Sequence, residues 1–136
     1  MCDTQVCLET GALKAAFKKD REGIVVALGT VVADMTDARK ARDDRRYLAL
    51  DALYHQRFFD VSGNRFLDDA YQTIASKMAA LRNRLGAHPD HMTKSFVEHQ
   101  RIVELLEQGE IDAALDVLVA HIGRKEGSYW SILSTQ

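Results

Sequence analysis

Asp51 and His55 lie in the stretch LALDALYHQRFF, residues 48–59, and their types and spacing suit metal chemistry. On a helix, residues four apart stand one turn above each other with Cβ atoms about 5–6 Å apart, so the carboxylate and the imidazole project together. Leu50, Leu53, Tyr54 and Phe58 put an apolar stripe on or beside that face. The stripe turns Asp51 inward, where a lone ionised carboxylate is costly and needs compensation. His99 follows Phe96 by three residues and precedes Val103 by four, and His121 follows Leu118 by three and Val117 by four. Both therefore also fall on apolar helical faces. Each histidine alone reads most simply as a core residue. With Asp51 they make one carboxylate and three imidazoles, ligands suited to Zn²⁺, Ni²⁺, Mn²⁺ or Fe²⁺. With no thiolate to impose a closed structural zinc site, open coordination positions are expected.

The elements that must position these residues are all helical by periodicity. The first helix is expected from Asp3 or Thr4 to Lys18, with Leu8, Ala12, Leu13, Ala16 and Phe17 inward. Asp20 stands where an N-cap belongs, and Ile24, Val25, Leu28, Val31, Val32 and Met35 carry a second helix to about Arg39. Asp43 and Asp44 suit the positive end of a third helix, which holds Asp51 and His55 and stops at Val61-Ser62-Gly63-Asn64. Asn64 is read as the cap of a fourth helix, expected to be the longest, with Phe66, Leu67, Tyr71, Ile74, Met78, Leu81 and Leu85 as its stripe. Gly86 ends it before a His88-Pro89-Asp90 loop, in which His88 and His91 read as surface histidines. The fifth helix carries Phe96, His99, Ile102, Val103, Leu105 and Leu106, and the last runs from about Ile111 through His121 to Leu133. Short loops between amphipathic helices predict an all-α, antiparallel bundle of about six helices, with a central pocket for metal and ligand between facing helices.

Composition narrows the function. At 136 residues the chain is one domain, residues 1–136, able to bury about two thirds of its unfolded surface, so it needs neither disulfides nor metal merely to fold. A bound metal is then expected to serve function. A formal charge of −2 without a long basic run argues against nucleic-acid binding by this chain itself. The basic group Arg39, Lys40, Arg42, Arg45 and Arg46 is interrupted by Asp43 and Asp44 and reads as a solvated helix junction. Cys2 and Cys7 are too few for a disulfide framework, no apolar run approaches the roughly 18 residues of a membrane span, and MCDTQV lacks the form of an export signal. A cytoplasmic location is the expectation.

The order DALYH, SGN, EH followed by an apolar run, GEIDAAL and AHI resembles the FCD domain, the C-terminal effector-binding domain of FadR-type transcription regulators in the GntR family. The resemblance covers nearly the whole chain. It implies that Asp51, His55, His99 and His121 hold one divalent transition metal, Zn, Ni or Mn, in a helical bundle. It further implies that a small organic-acid effector binds the metal through its carboxylate and alters how an attached winged helix-turn-helix holds DNA, commonly in a homodimer. Arg82 continues the row of Tyr71, Ala75 and Met78 on the fourth helix, where the family often has an arginine, and is expected to contact the effector. Tyr54 and Asn64 are further effector-binding candidates, although packing and capping account for them more simply. Where many relatives carry an arginine before the EH motif, this chain has His91-Met92-Thr93-Lys94.

The winged helix-turn-helix is expected to be absent from this chain, which is then either a domain cut from a longer regulator or a free-standing effector-binding protein. DNA would be a partner only through such a domain, and no membrane partner is expected. The primary reading is a sensor and not an enzyme. The competing readings are a metal-dependent hydrolase or oxygenase in a helical bundle, and a dimerisation domain with a vestigial pocket; Tyr129, Trp130, Ile132 and Leu133 are expected either to close the pocket or to form a dimer surface. The enzyme reading lacks an HExxH, a paired ExxH and a placed general base, since Glu98 points away from the face of His99.

Overall fold

The computed structural model describes the backbone of residues 2–85 and 88–134 and the side chains of 3–80, 83–84 and 88–124. Its elements are α1 (Cys2–Lys19), α2 (Arg21–Lys40), α3 (Asp44–Ser62), α4 (Arg65–Leu85), α5 (Pro89–Glu107) and α6 (Ile111–Ser134). Among the described residues there is no strand, and no helix is long and apolar enough to cross a membrane.

The boundaries follow from local chemistry. Asp20 has φ −155° and accepts from the Gly23 amide, so one residue separates α1 from α2 and caps the second helix. Asp43 caps α3 in the same way, its side chain accepting from the Arg46 amide at 3.0 Å. Gly63, at φ 63°, closes α3 in the left-handed region that glycine enters without a Cβ penalty. Asn64 Oδ1 then accepts from the amides of Phe66 and Leu67 at 3.0 and 3.2 Å, capping α4.

Three expectations need correction. Pro89 does not lie in a loop: it occupies the first turn of α5, where its missing N–H costs nothing. His91 is therefore helical, and it is buried. Phe66 is 86% exposed, because it lies one residue off the Leu67, Tyr71, Ile74 and Met78 row that faces inward. The longest helix is α6, with 24 residues against 21 for α4.

Packing places α3 against α2 and α1, α5 against α6 and α2, α1 against α6, and α4 against α3, α1 and α6. Helices α3 and α5 thus stand across the core from each other rather than side by side. Tyr47, Tyr54, Phe58 and Phe59 of α3 fill that core together with Leu13, Ile24, Leu28, Met35, Ile102, Leu106 and Leu118. Burying each large apolar side chain is worth about 1.5–3 kcal/mol. The apolar wall leaves one polar tract at the centre, where α3, α5 and α6 face each other.

Candidate metal and ligand site

Asp51, His55, His99 and His121 meet in that tract. The three imidazoles are fully buried and Asp51 is 3% exposed. Asp51 Oδ1 lies 3.4 Å from His55 Nε2 and 3.3 Å from His99 Nε2. Ring centroids are 5.5 Å apart for His55 and His99, 5.5 Å for His55 and His121, and 4.9 Å for His99 and His121. Each histidine offers a ring nitrogen, and these nitrogens lie within 4.8 Å of one another. Donors sharing one ion at bonds of about 2.0–2.2 Å stand about 3–4 Å apart, so small adjustments of these side chains suffice.

The surrounding hydrogen bonds orient the rings. His55 Nδ1 bonds to Glu9 Oε1, and Glu9 is itself fully buried and accepts from Gln5 Nε2 at 2.6 Å through its other oxygen. His121 Nδ1 lies 2.7 Å from Glu98 Oε1. An ionised carboxylate can only accept, so with Glu9 and Glu98 ionised these bonds place the proton on Nδ1 of His55 and of His121 and leave Nε2 its lone pair. For His55 that lone pair is directed toward Asp51 Oδ1, an arrangement of two acceptors that a cation between them resolves. The buried carboxylates of Glu9 and Asp51 supply negative charge that a divalent ion balances. The donor set and its orientation fit a metal ion, with outer carboxylates fixing the histidine tautomers as is usual at such sites.

Arg124 completes the outer layer. Its Nε and Nη2 donate to Glu98 at 3.2 and 2.5 Å, and its Nη1 donates to His91 Nδ1 at 2.9 Å. Glu98, expected to stand apart from the site, is joined to it through His121 from the α6 side. Tyr54 places its ring 4.1 Å from that of His99, and its hydroxyl donates to the His99 carbonyl oxygen at 3.0 Å. Burial above all, then the charges of Asp51 and Glu9, pushes the Tyr54 hydroxyl well above the ordinary tyrosine range, so it stays protonated as a donor.

Asn64 is exposed and its side chain is engaged in capping α4. Arg82 lies on α4, but its side chain is outside the described residues, as are those of Tyr129, Trp130, Ile132 and Leu133. Glu9 was not anticipated. The same periodicity that turns Asp51 inward identifies it, since Gln5, Glu9, Ala12 and Ala16 share one face of α1 and all are buried.

The profile of the FCD domain family matches residues 1–124. The chain belongs to the FCD domain family. Its fold is similar to that of the metal-free FCD domain of TM0439, described as a candidate transcriptional regulator, with a TM-score of 0.86 at 21% identity over 99% of this chain and 92% of that one. No curated protein matches the chain.

Proposed function

We propose that this FCD domain is a metal-dependent sensor of small organic acids within a GntR-type regulator of the FadR subfamily. One observation carries the reading: Asp51, His55, His99 and His121, drawn from three helices, converge in the buried core, with Glu9 and Glu98 bonded to the rings of His55 and His121. These four residues would hold one divalent ion, with Zn, Ni and Mn all suited to nitrogen and oxygen donors. A bound ion supplies positive charge and exchangeable coordination positions for a carboxylate. Arg82 of α4 is the proposed partner for the effector's remaining charge. Tyr54 positions His99 through its carbonyl, and Asn64 acts on the site only by fixing the start of α4.

Sensing requires that the effector bind two conformations unequally, because equal binding shifts no equilibrium. The helices that donate ligands are the elements whose relative placement such binding would bias. DNA contact then belongs to a winged helix-turn-helix in another domain, and the regulator acts as a homodimer. The test is calorimetric titration of metal-loaded and chelator-stripped protein with a panel of small organic acids, with product analysis alongside. The expected result is saturable binding of an acid to the metal-loaded form alone, without turnover. Turnover of the acid, or binding indifferent to metal, contradicts the reading.

A further inference from the structure

We infer that Tyr47 and Ser95 form a second anchoring subsite, one helical turn from Asp51, for the far carboxylate of a two-ended organic acid whose near end sits at the histidines. The inference rests on the function proposed above and names the class of ligand.

The polar tract is longer than the metal site. On α3, Tyr47, Asp51 and His55 recur at steps of four, and on α5 His91, Ser95 and His99 do the same, so each set forms one row along its helix. The two rows face each other across the core: Asp51 approaches His99, and Tyr47 lies by Ser95 and edge-on to Phe96 at 6.3 Å between centroids. Tyr47 and Ser95 are each 2% exposed. Their hydroxyls are close enough to interact, yet among the described residues neither completes a hydrogen bond of normal geometry. Buried hydroxyls are ordinarily paired, so a couple left open beside a ligand site marks a place where a ligand oxygen accepts from them.

Two protonated hydroxyls and two guanidinium charges lie at or near this end of the tract, against the single carboxylate of Asp51. Burial first, then Asp51, raises the Tyr47 hydroxyl far above its usual range, which keeps it a donor. The charges of Arg39 and Arg124 act on Tyr47 in the opposite sense, so positive potential reaches it from both α2 and α6. Arg39 is held over the Phe96 ring at 4.9 Å and donates to Thr93 Oγ1 at 3.3 Å, and Arg124 is held by Glu98 and His91. Neither guanidinium needs to leave its partners to exert this field. One helical turn is about 5.4 Å, a span of the order of that between the carboxylates of an extended four-carbon diacid. A ligand with a single carboxylate reaches one end of the tract, and a diacid reaches both.

The experiment is calorimetric titration of the zinc-loaded chain with acetate, succinate and malate, on the wild type and on Tyr47→Phe and Ser95→Ala, with zinc content measured for each protein. Succinate or malate is expected to bind the wild type at least about tenfold more tightly than acetate. Each substitution is expected to reduce that advantage about tenfold, the loss of one hydrogen bond to a charged group, while leaving zinc content and acetate affinity unchanged. A merely structural role for these hydroxyls predicts instead a lower melting temperature of the acid-free variants with no selective loss of diacid. That result, or equal affinity of acetate and the diacids for zinc-loaded wild type, overturns the subsite alone. A wild type that takes up no zinc, nickel or manganese overturns the proposed function and the subsite with it.

Discussion

At the scale of single residues, the metal-site account turns on carboxylates that bond the histidines and would not themselves hold the ion. Glu9 holds His55 by Nδ1, and Glu98 holds His121 by Nδ1; each fixes the tautomer that leaves Nε2 as the donor. Outer partners of this kind typically change metal affinity about 10–100-fold when removed. Glu9→Ala is therefore expected to weaken metal binding by about that factor in a chelator-competition titration, with cobalt-substituted protein retaining a tetrahedral or higher coordination spectrum at saturation. Unchanged affinity would show that the bond to His55 is incidental. Tyr54→Phe removes the donor to the His99 carbonyl and is expected to lower stability by about 0.5–1.5 kcal/mol in urea unfolding. That Asp51, His55, His99 and His121 each face inward is readable from residue types and helical periodicity, and it is the motif order resembling the FCD domain that groups them as one set. Glu9 obeys the same rule on α1, but a single acidic residue flanked by Leu8 and Thr10 carries no partner within its own helix to mark it. The Glu98 link to His121 joins α5 to α6, and one-helix periodicity holds no information about a contact across helices.

At the scale of elements, the caps and stripes predict most of the boundaries because each depends on a few neighbouring residues. Asp20, Asp43, Gly63 and Asn64 act where their chemistry places them. The misreadings at Pro89 and Phe66 have different causes, a helix start read as a break and a hydrophobic residue one position off the inward row. Beside Gly86, Pro89 has the look of a loop residue, whereas proline at a first helical position starts a helix, and this places His91 in the buried row that meets Arg124. Phe66 is hydrophobic but one residue off the inward row of α4, and its position in the helix decides its exposure. Phe66→Ala is accordingly expected to change stability by less than about 0.5 kcal/mol, whereas Phe58→Ala in the core is expected to cost about 3–5 kcal/mol. Asn64→Ala should cost about 0.5–2 kcal/mol through loss of the cap. Chemical denaturation of these variants checks all three, and a large effect at Phe66 would mean that its side chain is covered by something outside the described residues.

At the scale of the molecule, the site exists only because α3 and α5 stand across the core with α6 closing the same space. The six-helix, all-α architecture was legible because every segment carries a helical apolar stripe bounded by turn residues. Which helices face each other was not, since stripe direction alone leaves several arrangements of a bundle open. The arrangement has an energetic consequence. Helices α3, α5 and α6 each have their own packing partners, and an ion held by all three would tie them together only in the folded state. At free metal about 100 times its dissociation constant, binding is expected to add about 2.7 kcal/mol, roughly 10 °C in melting temperature for a chain of this length. Chelation should reverse the shift. A melting temperature indifferent to both treatments would mean that the histidines serve the core alone.

The central claim is that residues from distant parts of the chain share one ion. Its most direct test is elemental analysis of protein purified without a metal-affinity tag, comparing the wild type with His99→Ala and His121→Ala. The expected result is about one equivalent of a divalent transition metal in the wild type, after supplementation if necessary, and its loss in both variants at unchanged helical content. Wild type that takes up no zinc, nickel or manganese, or variants that retain the full equivalent, would contradict the account.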